Sequence, residues 1–152
     1  MSTQDSKIQI MRYTAKIIFN FRPVQPSETL ASVEWLMEYY FNWKLDTAGG
    51  WDMGKIKYEI YNYNSSTWTT LSSDGHHFHK NNAGDDTEYI GHLTTQMFYV
   101  KIDTNPSYYV SDDGLVRTAI NFTEDEDNEY TYTYTKKNAE LTTIYNGIIL
   151  SD

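Results

Sequence analysis

Residues 30–45, LASVEWLMEYYFNWKL, alternate with a period of two. Odd positions carry Ala31, Val33, Trp35, Met37, Tyr39, Phe41, Trp43 and Leu45, all apolar, while even positions include Ser32, Glu34, Glu38, Asn42 and Lys44. A helix gathers residues three and four apart on one face, which would mix Glu34 and Glu38 with Met37 and Phe41. An extended chain keeps the two sets apart. The spacing predicts a half-buried strand. Residues 11–22 repeat the pattern, with Met11, Tyr13, Ala15, Ile17, Phe19 and Phe21 against Arg12, Thr14, Lys16, Ile18, Asn20 and Arg22. Pro23 and Pro26 end that run, because proline has no N–H to give to a ladder.

Shorter alternating runs follow. Residues 55–63 place Ile56, Tyr58 and Ile60 on one face, with Lys55, Lys57, Glu59 and Tyr61 on the other; residues 97–103 oppose Phe98, Val100 and Ile102 to Met97, Tyr99 and Lys101. Residues 115–122 oppose Val116, Thr118, Ile120 and Phe122 to Arg117, Ala119 and Asn121, and residues 129–135 alternate Tyr with Thr. A last strand over 141–150 is expected to carry Ile144, Ile148 and Leu150 inward. Asn-, Asp- and Gly-rich turns separate the runs at 46–50, 63–66, 81–86, 104–107 and 111–114, and these residues tolerate the positive φ of tight turns. About eight or nine short strands with regular punctuation predict an all-β, antiparallel two-sheet sandwich. A chain of 152 residues is long enough for one such domain, and no composition shift marks a second. Residues 1–22 form an N-terminal strand segment available for exchange with a neighbouring copy.

Residues 60–74, IYNYNSSTWTTLSSD, read as a hairpin: a strand over 56–63, the turn YNSS, and a return over 67–71 with Trp68 covering the hairpin's apolar face. The stretch EIYNYNSSTWTTL resembles the signature hairpin of jelly-roll sandwich domains of the galactose-binding-like type. The later stretch FYVKIDTNPSYYVSDDGLVRTAINF is similar to the second half of such domains, with an aspartate-rich turn leading into a strand. In the closing strand, Asn146-Gly147 stands where an Asp is common. The resemblance spans residues 30–150. It implies a jelly roll, a secreted or cell-surface setting, and a role in carbohydrate binding, adhesion or scaffolding.

Charge narrows the partners. The formal net charge is −9 with only 12 Lys and Arg, which argues against nucleic acid, whose phosphates need clustered cations. It argues equally against anionic membrane surfaces. No stretch approaches the roughly 18 consecutive apolar residues of a spanning helix. The absence of Cys leaves the redox compartment open. The opening residues MSTQDSKIQ show no basic-then-apolar leader, which leaves a cytosolic chain, a chain with its leader removed and a virion protein as alternatives.

No nucleophile elbow, phosphate loop or zinc-protease motif occurs, and no Asp or Glu pair falls in an apolar run that would raise a pKa, so the chain is expected not to be an enzyme. The acidic run at 124–129 offers hard oxygen ligands, Asp125, Asp127 and Glu129, to a structural calcium ion; Asp112-Asp113 is a second such place. The alternative is a solvated acidic loop. His76, His77 and His79 in DGHHFHK, with His92, either chelate a metal or form a solvated loop. Asn64 and Asn121 each head an N-x-[ST] glycosylation sequon.

The aromatics are the best functional lead. Trp51 follows Ala48-Gly49-Gly50 in a turn with no strand face to hide on, and Tyr61 and Tyr63 point away from Tyr58 and Ile60. Flat rings flanked by Asn and Asp suit the C–H face and hydroxyls of a sugar; the alternative is that Tyr simply tolerates half-exposed strands. Two functions are therefore expected to compete. One is a non-catalytic extracellular or surface module binding carbohydrate through Trp51, Tyr61 and Tyr63. The other is a structural subunit of a surface filament, surface layer or virion assembled through strand edges.

Overall fold

A computed structural model describes the backbone of residues 2–3, 7–10, 15–45, 54–74, 79–80, 86–87, 95–124 and 137–152, and the side chains of 16–40, 57–71, 95–121 and 141–152. The strands are β1 (Ser2–Thr3), β2 (Lys7–Ile10), β3 (Ala15–Phe21), β4 (Ser32–Leu45), β5 (Gly54–Asn62), β6 (Thr67–Asp74), β7 (His79–Lys80), β8 (Asp86–Thr87), β9 (Gln96–Ile102), β10 (Val116–Glu124) and β11 (Lys137–Ser151). A single 3-10 turn, Pro106–Tyr109, joins β9 to β10, and no α-helix occurs among the described residues. No described helix is long and apolar enough to cross a membrane.

The seven longer strands form two antiparallel sheets, β11-β4-β9 and β3-β10-β5-β6. The short strands β1 and β2 both pair with the edge of β11 that β4 leaves free, opposite Gly147–Ile148 and Ala139–Thr142 respectively. β7 and β8 make a small ladder of their own. The N-terminal strand β3 is not left as a bare ribbon. It pairs with β10 of its own chain from Phe21 opposite Val116 to Ala15 opposite Phe122.

The two sheets close on one core. Val33, Trp35, Met37 and Tyr39 of β4 and Leu141, Ile148 and Leu150 of β11 meet Phe19 and Phe21 of β3, Tyr58 and Ile60 of β5, and Val116 and Ile120 of β10. The alternation read from this run holds from Val33 to Tyr39; before it, Ala31, expected inward, is exposed and Ser32 is buried. Within that span every second residue packs inward, and burying each such side chain contributes about 1.5–3 kcal/mol. Aromatic contacts fix the centre. The Tyr58 ring stacks on Phe98 at 4.1 Å, and Trp35 meets Phe98 edge-on at 5.0 Å. Two polar links lie within this core: Trp35 Nε1 donates to Asn146 Oδ1 at 2.7 Å, and the Tyr39 and Tyr58 hydroxyls share a short hydrogen bond.

Three further details depart from simple alternation. Ile144, expected inward, is 52% exposed. The register between β4 and β11 shifts between Thr143 and Tyr145, and the extra residue reverses the parity of the strand. Leu141 and Thr143 are buried before the shift, Asn146, Ile148 and Leu150 after it. Trp68, expected over the hairpin's apolar face, lies on the other one: it stands opposite Tyr61, and residues opposed across a ladder share a face. Finally Glu59 and Ala119, both on the outer face of the second sheet, are buried, Glu59 to 7% exposure. The strand expected over 129–135 and the side chain of Trp43 lie outside the described residues.

Candidate functional site

The outer face of the second sheet carries a cluster of rings and charges drawn from all four strands. Tyr61 on β5 meets Trp68 on β6 edge-on at 5.3 Å and Tyr63, just past the end of β5, at 4.9 Å. From β10, the Arg117 guanidinium lies 5.4 Å from the Tyr61 ring centre and 5.5 Å from that of Trp68. From β3, Lys16 Nζ sits 3.8 Å from the Trp68 ring centre and 3.5 Å from Glu59 Oε1. These are cation–π arrangements, each worth about 0.5–1 kcal/mol where partly exposed. Trp68 and Lys16 cover the middle of the face, which accounts for the burial of Glu59. Its Oε1 forms the ion pair with Lys16 at a geometry that is not a hydrogen bond.

Tyr63 links this platform to an open groove of about 550 Å³ lined by Tyr63, Asn64, Ser107, Tyr108 and residues 110–113. Local hydrogen bonds set the groove's walls. Asn62 Oδ1 accepts from the backbone N–H of Asn64 at 2.9 Å and of Ser65 at 3.1 Å, an Asx turn that leaves Ser66 at φ 56° to start β6. The N–H of Tyr63 donates to the Tyr108 carbonyl at 2.7 Å, tying the hairpin to the 3-10 turn. On the far wall, Gly114 N–H donates to the Ser111 carbonyl at 2.9 Å and Leu115 N–H to Ser111 Oγ at 2.8 Å. Gly114 takes φ 86°, a conformation that favours glycine.

Charge in the groove is arranged as well as shape. Arg22 Nη1 and Nη2 donate to the carbonyl oxygen and Oδ2 of Asp113 at 3.0 and 3.2 Å, and the Ser111 hydroxyl donates to its other carboxylate oxygen. The Ser111 bond, and after it Arg22, hold the Asp113 carboxyl below its ordinary range. Burial pushes the Tyr63 phenol up, opposed by Arg117 and helped by Asp113 and Tyr61. The Tyr63 hydroxyl oxygen makes no hydrogen bond of good geometry, although the Ser111 hydroxyl lies beside it. On the opposite side of the molecule, the Glu34 carboxylate accepts from the exposed Tyr99 hydroxyl and raises its pKa.

Of the residues singled out from the sequence, Tyr61, Tyr63 and Asn64 converge here, with Asp112 and Asp113 on the facing wall. Asn121 is half-buried on the outer face of β10, one strand from Lys16. Trp51, the proposed calcium ligands Asp125, Asp127 and Glu129, and His76, His77 and His92 lie outside the described residues, and of His79 only the backbone is described. Among the described residues no group of three His, Cys, Asp or Glu is placed to hold a metal. Sequence reasoning missed Trp68, Arg117, Lys16 and Tyr108 as parts of the site. For Trp68 the signal was there: counting outward from the turn pairs Asn62 with Thr67 and hence Tyr61 with Trp68. No local signal exists for Arg117 or Lys16, which arrive through long-range strand pairing. No protein-family model, curated protein or solved structure matches this chain.

Proposed function

We propose that the chain is a non-catalytic, extracellular or cell-surface module that binds carbohydrate along the Tyr63 groove. The observation that carries the reading is the outward run Trp68, Tyr61 and Tyr63, which continues into a groove furnished with Asn64, Ser107, Ser111 and Asp112. Ring faces and edges suit the apolar C–H face of a sugar, and the flanking amide, hydroxyl and carboxylate groups suit its hydroxyls. The strand order supports the jelly-roll part of the reading. With β1 and β2 taken as one position and the separate β7-β8 ladder set aside, the eight positions in chain order stack as 1-8-3-6 and 2-7-4-5, the arrangement of two nested Greek keys. Lectin domains are among the proteins that use it. Glycan-array screening followed by calorimetry tests the reading. A Tyr63→Ala variant is expected to lose affinity on the order of tenfold or more while unfolding as cooperatively as the wild type. Absence of binding to every arrayed glycan refutes it.

A second reading, a self-assembling structural subunit, is favoured by a different surface. Met97 (69% exposed), Tyr99 (56%) and Ile149 lie on the outer face of the first sheet, in adjacent rows with Leu36 between them. Capsid domains also use the jelly roll. Light scattering over a concentration series tests it: a monomer at all concentrations excludes assembly through this face.

A further inference from the structure

We propose that the glycan is acidic and that Arg117 receives its carboxylate or sulfate. This rests on the carbohydrate reading above and specifies the ligand class of the same site. Arg117 is the cation of this face that stands over the platform rings and has no ion pair among the described residues. Among the described residues Lys16 is paired with Glu59 and Arg22 with Asp113, whereas Arg117 touches only the Tyr61 and Trp68 rings. These ring contacts hold the guanidinium beside the platform without using its N–H donors for a carboxylate. A planar fork so held is matched to the two oxygens of a carboxylate or two of a sulfate.

Position supports the same conclusion. Arg117 lies 5.4 Å from the Tyr61 ring centre, Tyr61 meets Tyr63 at 4.9 Å, and Tyr63 is the ring that lines the groove. A sugar lying along Tyr63 therefore brings a ring substituent within reach of Arg117 at one end and of Asp112 at the other. The two ends differ in what they accept. Asp113 is neutralised by Arg22, and the exposed Asp112 accepts hydroxyl donors. The anion therefore belongs at the Arg117 end. A chain of net charge −9 repels anions at long range, so recognition of an acidic sugar here has to come from this one local contact, and it is correspondingly sensitive to that residue.

The test uses an array carrying uronic-acid-containing, sialylated, sulfated and neutral oligosaccharides, followed by titration calorimetry on the hits. The expected result is binding of acidic members and a loss of about tenfold to a hundredfold when the same oligosaccharide is carboxyl-reduced or desulfated, with wild-type protein throughout. Which group abolishes binding when removed separates a carboxylate from a sulfate source. An Arg117→Gln variant is expected to reproduce the loss for the acidic ligand only, and to remove the salt dependence of its affinity. Equal binding of acidic and neutralised oligosaccharides overturns this inference and leaves the carbohydrate reading standing. Binding of no glycan overturns both.

Discussion

Replacing Lys16 by methionine is the sharpest test of how the outer face of the second sheet is built. Lys16 keeps its stem in the variant but loses the charge that sits 3.5 Å from Glu59 Oε1. At that separation and an effective dielectric of about 20, the gross attraction is about 5 kcal/mol. Most of it is cancelled by what both ions gave up in leaving water. Truncating one partner of a fully buried pair costs about 3–5 kcal/mol, because the survivor is left buried and unpaired. Here the carboxylate side chain is only 9% exposed but the lysine is 28% exposed, so the pair is partly solvated and its loss costs less than that range, about 1.5–2 kcal/mol. The lost cation–π contact with Trp68 adds about 0.5–1 kcal/mol. The expected cost of Lys16→Met is therefore about 2–3 kcal/mol, a substantial part of the ~5–15 kcal/mol that stabilises an ordinary domain.

The assay is a double-mutant cycle in urea, with Lys16→Met measured in the wild-type and Glu59→Gln backgrounds. In the second background no buried charge remains to be orphaned, and only the ring contact is lost, so the cost should shrink to about 0.5–1 kcal/mol. A coupling of roughly 1.5–2 kcal/mol is the signature of a carboxylate sealed under Lys16 and Trp68. Because the pair is shielded, the coupling should persist at high salt. A Lys16→Met cost below about 0.5 kcal/mol, equal in both backgrounds, would mean that Glu59 reaches water, and the covered face described above would be wrong.

Other variants probe separate parts of the structure. Ile148→Ala should cost about 2–5 kcal/mol in urea unfolding, whereas Ile144→Thr should stay within about 0.5 kcal/mol; equal costs would deny the parity reversal at Thr143–Tyr145. Asn146→Leu should cost about 1–3 kcal/mol, since it leaves the buried Trp35 N–H without its acceptor; a neutral result would show that the indole finds another partner. The lowered pKa of Asp113 means that its bonds to Ser111 and Arg22 stabilise the fold above the carboxyl's ordinary value of 3.8 and are lost as pH falls through the lowered one, so the melting-temperature advantage of wild type over Ser111→Ala should shrink on acidification through that window. An advantage that grows there would contradict the assignment. Deleting residues 1–22 should abolish cooperative unfolding, because it removes β3 with Phe19 and Phe21 from the core; a folded deletion variant would show that this edge of the sheet is dispensable.

The inward set of each strand was legible because burial on one face imposes a period of two on the residues themselves. Trp35, Met37, Tyr58, Ile60, Val116 and Ile120 could be placed without knowing their partners. Ile144 could not be, because a bulge is a property of a pair of strands, and the sequence of β11 alone does not say where β4 gains or loses a residue. The outer face was less legible for a related reason. Glu59 reads as a solvated charge on local pattern, and its burial depends on Lys16, which lies far earlier in the chain and arrives through β10. Tyr61 and Tyr63 were recognisable as outward, but the pattern carries no information about which cation would stack on them.

The division of labour along β5 explains how a surface of this kind can be precise. Tyr58 and Ile60 anchor the strand in the core, while Glu59 and Tyr61 on the opposite face, followed by Tyr63, build the platform. Each platform ring is then held from a second strand: Trp68 by Lys16 of β3, Tyr61 by Arg117 of β10. The groove beside it is formed by loops, but their backbone is pinned to the same frame. Tyr63 is bonded to Tyr108, and the 111–114 turn is held by Arg22, just past the end of β3. Side chains and turns fixed in this way lose little freedom when a ligand arrives, and small ligands with few contacts depend on that economy more than large ones do. Tyr61 and Tyr63, both half-buried, are thus fixed by the frame rather than left to move in solvent.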